Sequence, residues 1–272
     1  MKAGCVICGP DVAYGPLALV SGTFEEKAQK AATMGYDGIE LMVRDPDSLN
    51  WQHVRQVLSS ANLEVPQVVT GELFGADGLC LVTPDEDLYQ RAEQRTRRVI
   101  DLAAYLGAMV NIGRLRGRLD SFSKGTDAWS IAVKRIGCVA QYAATQGVKI
   151  TLEPLNRYET DFILTATDGM RLVGELGYAN LGLMLDLFHM NIEEASIENG
   201  LLTAGDRLWH VHIADSSRQY PGSGHIPFEP IFATLTQMGY QGYISAEMRP
   251  LPDPDVAAQK TIEFLKARIA DA

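Results

Sequence analysis

Short apolar runs alternate with amphipathic stretches from one end of the chain to the other. The apolar runs cover 3–8, 38–43, 64–69, 108–112, 148–152, 181–185, 208–213 and 242–246. Their length and their Val, Ile and Leu content predict buried strands. Between them lie segments with helical periodicity and charged faces, at 24–34, 51–60, 85–105, 126–145, 168–176, 227–238 and 255–270, with a weaker candidate at 192–202. The last long segment carries Val256, Ile262, Phe264, Leu265 and Ile269, a stripe suited to lying on a sheet. Eight strands, each followed by a helix, predict an α/β fold of the (β/α)8 barrel type, a TIM barrel. The first strand-to-helix turn lacks the G-x-G-x-x-G string of an open dinucleotide-binding sheet. No Pro/Ser-rich linker divides the chain, so 1–272 reads as one domain.

In such a barrel, functional side chains gather at the carboxyl ends of the strands. Read in order, those ends offer Glu40, Thr70 with Glu72, Asn111, Glu153, Asp186, His212 and Glu247. Histidine concentrates in the same region, where His189, His210, His212 and His225 account for four of the chain's five. His210 and His212 point the same way, because strand side chains alternate faces. Imidazoles and carboxylates do not enter an apolar layer without partners, so the pattern predicts a metal site or a proton-transfer site. Convergence of Glu153, Asp186, His212 and Glu247 would give three carboxylates and one imidazole. This oxygen-rich set suits Mn²⁺, with Mg²⁺ or Co²⁺ as alternatives, at one ion per chain. On a six-coordinate ion it leaves positions for a substrate chelating through adjacent oxygens. Glu153 and Glu247 could then move protons at the carbon beside a carbonyl through a metal-stabilised enediolate. Return of the proton to the opposite face gives epimerisation, and to the neighbouring carbon gives aldose–ketose isomerisation.

Composition narrows the partners. With 272 residues and 46% hydrophobic content the chain can bury a large core. A net charge of -10 argues against nucleic acid and against an anionic membrane surface. No apolar run is long enough to span a bilayer, and the opening residues are too soon broken for a secretory segment, which makes a cytoplasmic location the expectation. Cys5 and Cys8 form a C-x-x-C string inside the first strand, where positions three apart face opposite sides. Cys80 and Cys138 read as small core fillers.

Four joined motifs carry a family resemblance: Glu153-Pro-Leu-Asn-Arg-Tyr-Glu159, Asp186-Leu-Phe-His189, His210-Val-His212-Ile-Ala-Asp-Ser-Ser-Arg218 followed by Pro221-Gly-Ser-Gly-His225, and Glu247. They resemble the D-tagatose 3-epimerase family of the xylose-isomerase-like barrels. The resemblance implies that Glu153, Asp186, His212 and Glu247 hold a divalent metal and that the two glutamates form the acid/base pair. It further implies that Glu159, His189 and Arg218 contact the sugar. In the amino-terminal half, Gly35-Tyr-Asp-Gly-Ile-Glu40-Leu-Met-Val-Arg44, Thr70-Gly-Glu-Leu-Phe-Gly-Ala-Asp-Gly78 and Gly113-Arg-Leu-Arg116-Gly-Arg118 look like the branch containing 5-keto-L-gluconate epimerase. Glu72 stands where an amide or small residue is expected there, and Arg114 is an extra cation. Arg44, Arg114, Arg116 and Arg118 follow strand ends two and four, and arginine forks suit a carboxylate. Arg116 is accordingly placed among the substrate contacts. His210, deeper on its strand, is expected to support His212 from behind. His225 reads as an ordinary loop residue, and Phe74 and Phe188 as possible walls of the pocket.

The expected activity is therefore a divalent-metal-dependent epimerase of a ketose or keto-sugar acid, of the 5-keto-L-gluconate type. The alternatives are a neutral ketose 3-epimerase, an aldose–ketose isomerase, a metal-dependent decarboxylase of a branched keto acid, or a sugar-binding protein with a vestigial site. An endonuclease IV-like hydrolase would need more histidines near strands two to four, where only His53 stands. By analogy with related barrels, a homo-oligomer is expected, either dimer or tetramer.

Overall fold

The computed structural model describes residues 1–269. Eight parallel strands hydrogen-bond in chain order and close into a barrel. They are β1 (Lys2–Cys8), β2 (Gly38–Met42), β3 (Gln67–Val69), β4 (Met109–Ile112), β5 (Ile150–Leu152), β6 (Leu181–Asp186), β7 (Leu208–Ile213) and β8 (Tyr243–Ala246). The helices α1 (Phe24–Met34), α2 (Trp51–Ser60), α3 (Gly71–Gly75), α4 (Glu86–Leu106), α5 (Ala128–Thr145) and α6 (Ala166–Leu176) follow β1 to β5. After β6 to β8 come α7 (Leu187–Glu193), α8 (Ile197–Ala204), α9 (Phe228–Gln237) and α10 (Pro254–Ile269). The predicted helices at 24–34 and 51–60 and the strand at 208–213 are reproduced residue for residue, and other boundaries move by at most three positions. Local chemistry explains the sharp ends of α1. Thr23 and Glu26 form a reciprocal capping box at its start, and Gly35 takes the left-handed conformation just past its end.

Three sequence expectations change. The weak helix at 192–202 is two helices, because Glu194 turns extended after α7 and Ser196 caps α8 through the Asn199 amide. A short helix, α3, stands directly after β3 and carries Glu72. Glu40 does not end its strand. β2 continues to Met42, so Glu40 lies two residues below the mouth, fully buried. Ala270, the last residue of the helix expected at 255–270, lies outside the described residues.

Strand alternation divides the side chains into two populations. Outward-facing groups such as Cys5, Ile7, Ile39, Leu41 and Val68 join the large core under the helices. Inward-facing Val6, Cys8, Met42 and Val69 form a separate small apolar cluster with Val12 and Ala18. Cys5 and Cys8 thus lie on opposite faces of β1, and all four cysteines are free. The interior also holds a polar group, Glu40, Gln67, Thr151, His210 and Ser245, all fully buried. A register shift between Leu183 and Met184 sets Asp186 directly beside His212 on β7. No helix among the described residues is long and apolar enough to cross a membrane.

Candidate metal centre

Four strand ends deliver the cluster. Glu153 follows β5, Asp186 closes β6, His212 is the penultimate residue of β7, and Glu247 follows β8. One ligand atom from each lies within 4.8 Å of the others. Glu153, Asp186 and His212 are buried, and Glu247 is half-buried. Space around Glu153 is tight: a Cβ at position 113 would overlap its carboxylate, which explains glycine there.

The electrostatics of the cluster follow from crowding several acids in a dry place. Burial, then the Glu247 and Asp186 carboxylates, push the Glu153 carboxyl up to about 8. Burial also raises Glu247, but His212 and Arg218 outweigh it and hold that group below the usual carboxylate range. For His212 burial favours the neutral ring, yet Glu40 and Glu247 overcome it and hold the imidazole well above its ordinary value. Arg218 supplies the countercharge. Its guanidinium donates to Asp186 and to Glu247, and stacks over the Phe188 ring at 4.5 Å. Arg218 adopts a left-handed backbone with φ 57°, a conformation that must be held by its surroundings. Asp215 does this. Its carboxylate accepts from the amides of Ser216, Gly222 and Ile226, its carbonyl accepts from the Arg218 amide, and its own amide donates to Gln219.

A divalent ion fits this donor set on one structural ground. His212 Nδ1 is buried, has no hydrogen-bond partner, and lies 3.5 Å from Glu247 Oε2. An orphaned ring nitrogen beside three carboxylates is a ligand arrangement for a hard cation rather than a packed core. Behind it, His212 Nε2 lies 3.0 Å from both Glu40 oxygens.

His189 is buried on α7. Its Nδ1 lies 2.7 Å from Asn156 Nδ2, and its Nε2 faces Glu153 at 3.8 Å and Asp186 at 3.7 Å. The Asn156 amide also donates to Glu159 at 3.3 Å. Burial first, then the nearby arginines, hold His189 neutral by depressing it well below the ordinary imidazole value. Because Nδ1 accepts from Asn156, the ring proton sits on Nε2 and points at the cluster. The cavity above is lined by Glu153, Glu159, His189, Arg218 and Glu247 on one side. Leu17, Met42, Val69, Glu72 and Arg114 line the other.

The four arginines after strands two and four have different fates. Arg116 does not line the cavity. It is fully buried and donates to the carbonyls of Gly113, Glu153, Phe162 and Ile163 at 2.6–3.1 Å. Its assignment as a substrate contact is therefore corrected: both terminal nitrogens donate to backbone carbonyls, and the buried Nε faces no cavity. Arg44 pairs with Asp77, and Arg118 with Asp120. Arg114 alone among the four lines the cavity, exposed and set over the Phe74 ring at 5.2 Å. Phe74 and Phe188 do not line the cavity; they back Arg114 and Arg218. His210 Nε2 lies 2.6 Å from Glu40 Oε1, one position below His212 on the same face of β7, and His225 bonds Ser216 on an exposed loop. Sequence reasoning missed the roles of Asn156 and Asp215. Both stand inside the quoted motifs, each as a small polar residue able to bond backbone locally.

A family model described as the xylose isomerase-like TIM barrel matches residues 28–268. An L-ribulose 3-epimerase of Methylomonas sp. is 32% identical, with 94% of this chain and 97% of that protein covered. Among solved structures, a 3-keto-D-glucoside 4-epimerase from E. coli superposes with a TM-score of 0.81 at 26% identity, over 98% of this chain and 99% of that one. A D-allulose 3-epimerase from Methylomonas sp., solved in complex with D-allulose, gives a TM-score of 0.81 at 27% identity, covering 98% and 97%.

Proposed function

The chain belongs to the xylose isomerase-like TIM barrel family, and from that premise we propose that it is a divalent-metal-dependent sugar epimerase using Glu153 and Glu247 as its proton-transfer pair. The observation that carries this reading is the orphaned His212 Nδ1 set against three carboxylates, two of them glutamates bordering one cavity. Glu153, Asp186, His212 and Glu247 would hold one ion, with Mn²⁺ as the preferred metal. When bound, such an ion supplies Lewis-acid stabilisation of the charge that develops on adjacent carbonyl and hydroxyl oxygens.

The chain's own groups divide the remaining work. One glutamate removes the proton from the carbon beside the ketone, and the other returns a proton to the opposite face. They follow β5 and β8, three strands apart around the barrel, which suits attack from two sides. Arg218 orients the Glu247 and Asp186 carboxylates. His189 presents its Nε2 proton to a substrate oxygen, and Asn156 with Glu159 holds that ring in place. The Met42 and Val69 side of the cavity offers an apolar wall to the sugar carbons. A homo-oligomer and a cytoplasmic setting complete the reading.

For the substrate we favour a keto-sugar acid, of the 5-keto-L-gluconate type. Arg114 lines the cavity with no carboxylate within hydrogen-bonding distance among the described residues, so its fork is free to take one. A neutral ketose is the second reading. It is supported by the relatives named as L-ribulose and D-psicose 3-epimerases and by the free Glu72 carboxylate nearby, which would repel an acid.

NMR-followed deuterium incorporation from D2O separates these readings. Mn²⁺-loaded protein is incubated with neutral ketoses and with keto-aldonates, and the ion is chelated before spectra are taken. Exchange at the carbon beside the ketone is expected, and its absence with every substrate would remove the epimerase reading. Arg114→Met is expected to raise KM for a keto-aldonate by about 10-fold or more, the worth of a charge-assisted hydrogen bond, and to leave neutral ketoses unaffected. An equal effect on both classes would favour the neutral sugar.

A further inference from the structure

Below the cluster, side chains from five strands join in one buried hydrogen-bonded chain. Glu40 on β2 is its centre. His210 Nε2 lies 2.6 Å from Glu40 Oε1, and His212 Nε2 lies 3.0 Å from both carboxylate oxygens. Gln67 Nε2 donates to Glu40 Oε2 at 2.7 Å, and Thr151 Oγ1 donates to Gln67 Oε1 at 2.9 Å. Ser245 Oγ closes the chain on the far side, 3.1 Å from His210 Nε2. Every member is at most 1% exposed.

The donor count fixes the protons. An ionised carboxylate only accepts, so the ring nitrogens that face it must donate. Thr151, donating to Gln67 Oε1, turns the amide so that its NH2 faces Glu40. Glu40 then receives three donors, and His212 is held as the Nε2–H tautomer. The lone pair that the neutral ring can offer an ion is therefore on Nδ1, the atom aimed at Glu247. His212 Nε2 has no other hydrogen-bond partner among the described residues, so no other group selects this tautomer.

We propose that Glu40 is the positioning residue of the metal site: with Gln67 and Thr151 behind it, it selects the His212 tautomer and the ring orientation that present Nδ1 to the ion. This rests on the reading of His212 as a ligand. Glu40 touches neither ion nor substrate; it acts through the ring. Carboxylates behind a ligating histidine are worth about 10–100-fold in metal affinity.

The test measures Mn²⁺ affinity, from the electron paramagnetic resonance signal of free ion, for wild type, Glu40→Gln and His212→Ala. Glu40→Gln is expected to bind Mn²⁺ about 10–100-fold more weakly than wild type, and His212→Ala more weakly still. If His212→Ala binds as wild type does, the ligand reading fails. If His212→Ala is weakened while folded Glu40→Gln binds as wild type, that reading stands and the role of Glu40 is overturned. A measurement on wild-type protein needs no folded variant. With Zn²⁺ as a diamagnetic probe, the ¹⁵N spectrum of the His212 ring is expected to show a slowly exchanging proton on Nε2. A proton on Nδ1, or none on Nε2, would overturn the proposal.

Discussion

Glu153→Gln and Glu247→Gln are each expected to lower net epimerisation by about 10²–10⁴-fold, the usual contribution of a positioned acid or base. The two variants should fail in complementary ways. With one glutamate gone, the other still removes and returns a proton on its own face. Each variant should therefore exchange deuterium into one epimer without inverting it, and the two should do so with opposite epimers. Chiral separation of products, with NMR detection of deuterium, reads both effects. Mn²⁺ affinity measured alongside separates loss of the ion from loss of the proton carrier, since the amide keeps one oxygen ligand. Net inversion at the wild-type rate in either variant would sink the two-glutamate assignment. So would exchange by both variants with the same epimer.

Arg116→Met should have the largest effect on stability. The guanidinium is fully buried, and it satisfies four carbonyl oxygens drawn from three separate stretches of chain. Burial pushes this group down to about 10, partly offset by Glu153, Glu159 and Asp161, so it remains charged near neutrality. Methionine fills much of the volume but donates nothing. The Gly113 and Ile163 carbonyls keep the backbone amides of residue 116 and Leu155 as donors, while those of Glu153 and Phe162 lose theirs. A buried acceptor left without a donor costs about 1–3 kcal/mol, so the variant should lose at least about 2 kcal/mol. For a chain of this size that is roughly 4–8 °C in Tm, measurable by calorimetry. Because one of the four carbonyls belongs to Glu153, activity should fall as well. A variant with wild-type Tm and a raised KM would restore Arg116 to the substrate side.

The contrast between Arg114 and Arg116 shows what could be read from the chain and what could not. Spacing of apolar runs was enough to predict eight strands, because buried parallel strands must be apolar on both faces. It also predicted which residues close β5 to β8, since a carboxylate or imidazole after such a run has few places to go. The same logic misplaces Glu40, because a polar residue within an apolar run mimics the strand's end. The apolar Met42 two positions on, on the same face, was the available signal. Arg116 was illegible for another reason. The cage around it is made of backbone carbonyls from residues 113, 153, 162 and 163, and no side-chain pattern records where carbonyls point. The split between α7 and α8 has a local signal in Ser196, whose side chain caps the Asn199 amide inside one amphipathic run.

The turn after β4 sets a narrow path for divergence. At 113 any side chain would strike Glu153, while Leu115 and Arg116 are fully buried. Only position 114 faces the cavity without also holding the barrel together. A lineage or a directed-evolution campaign seeking a new sugar can therefore vary this turn at one codon. The proton-transfer machinery on β5 and β8 would be inherited unchanged while the substrate is renegotiated at that single site.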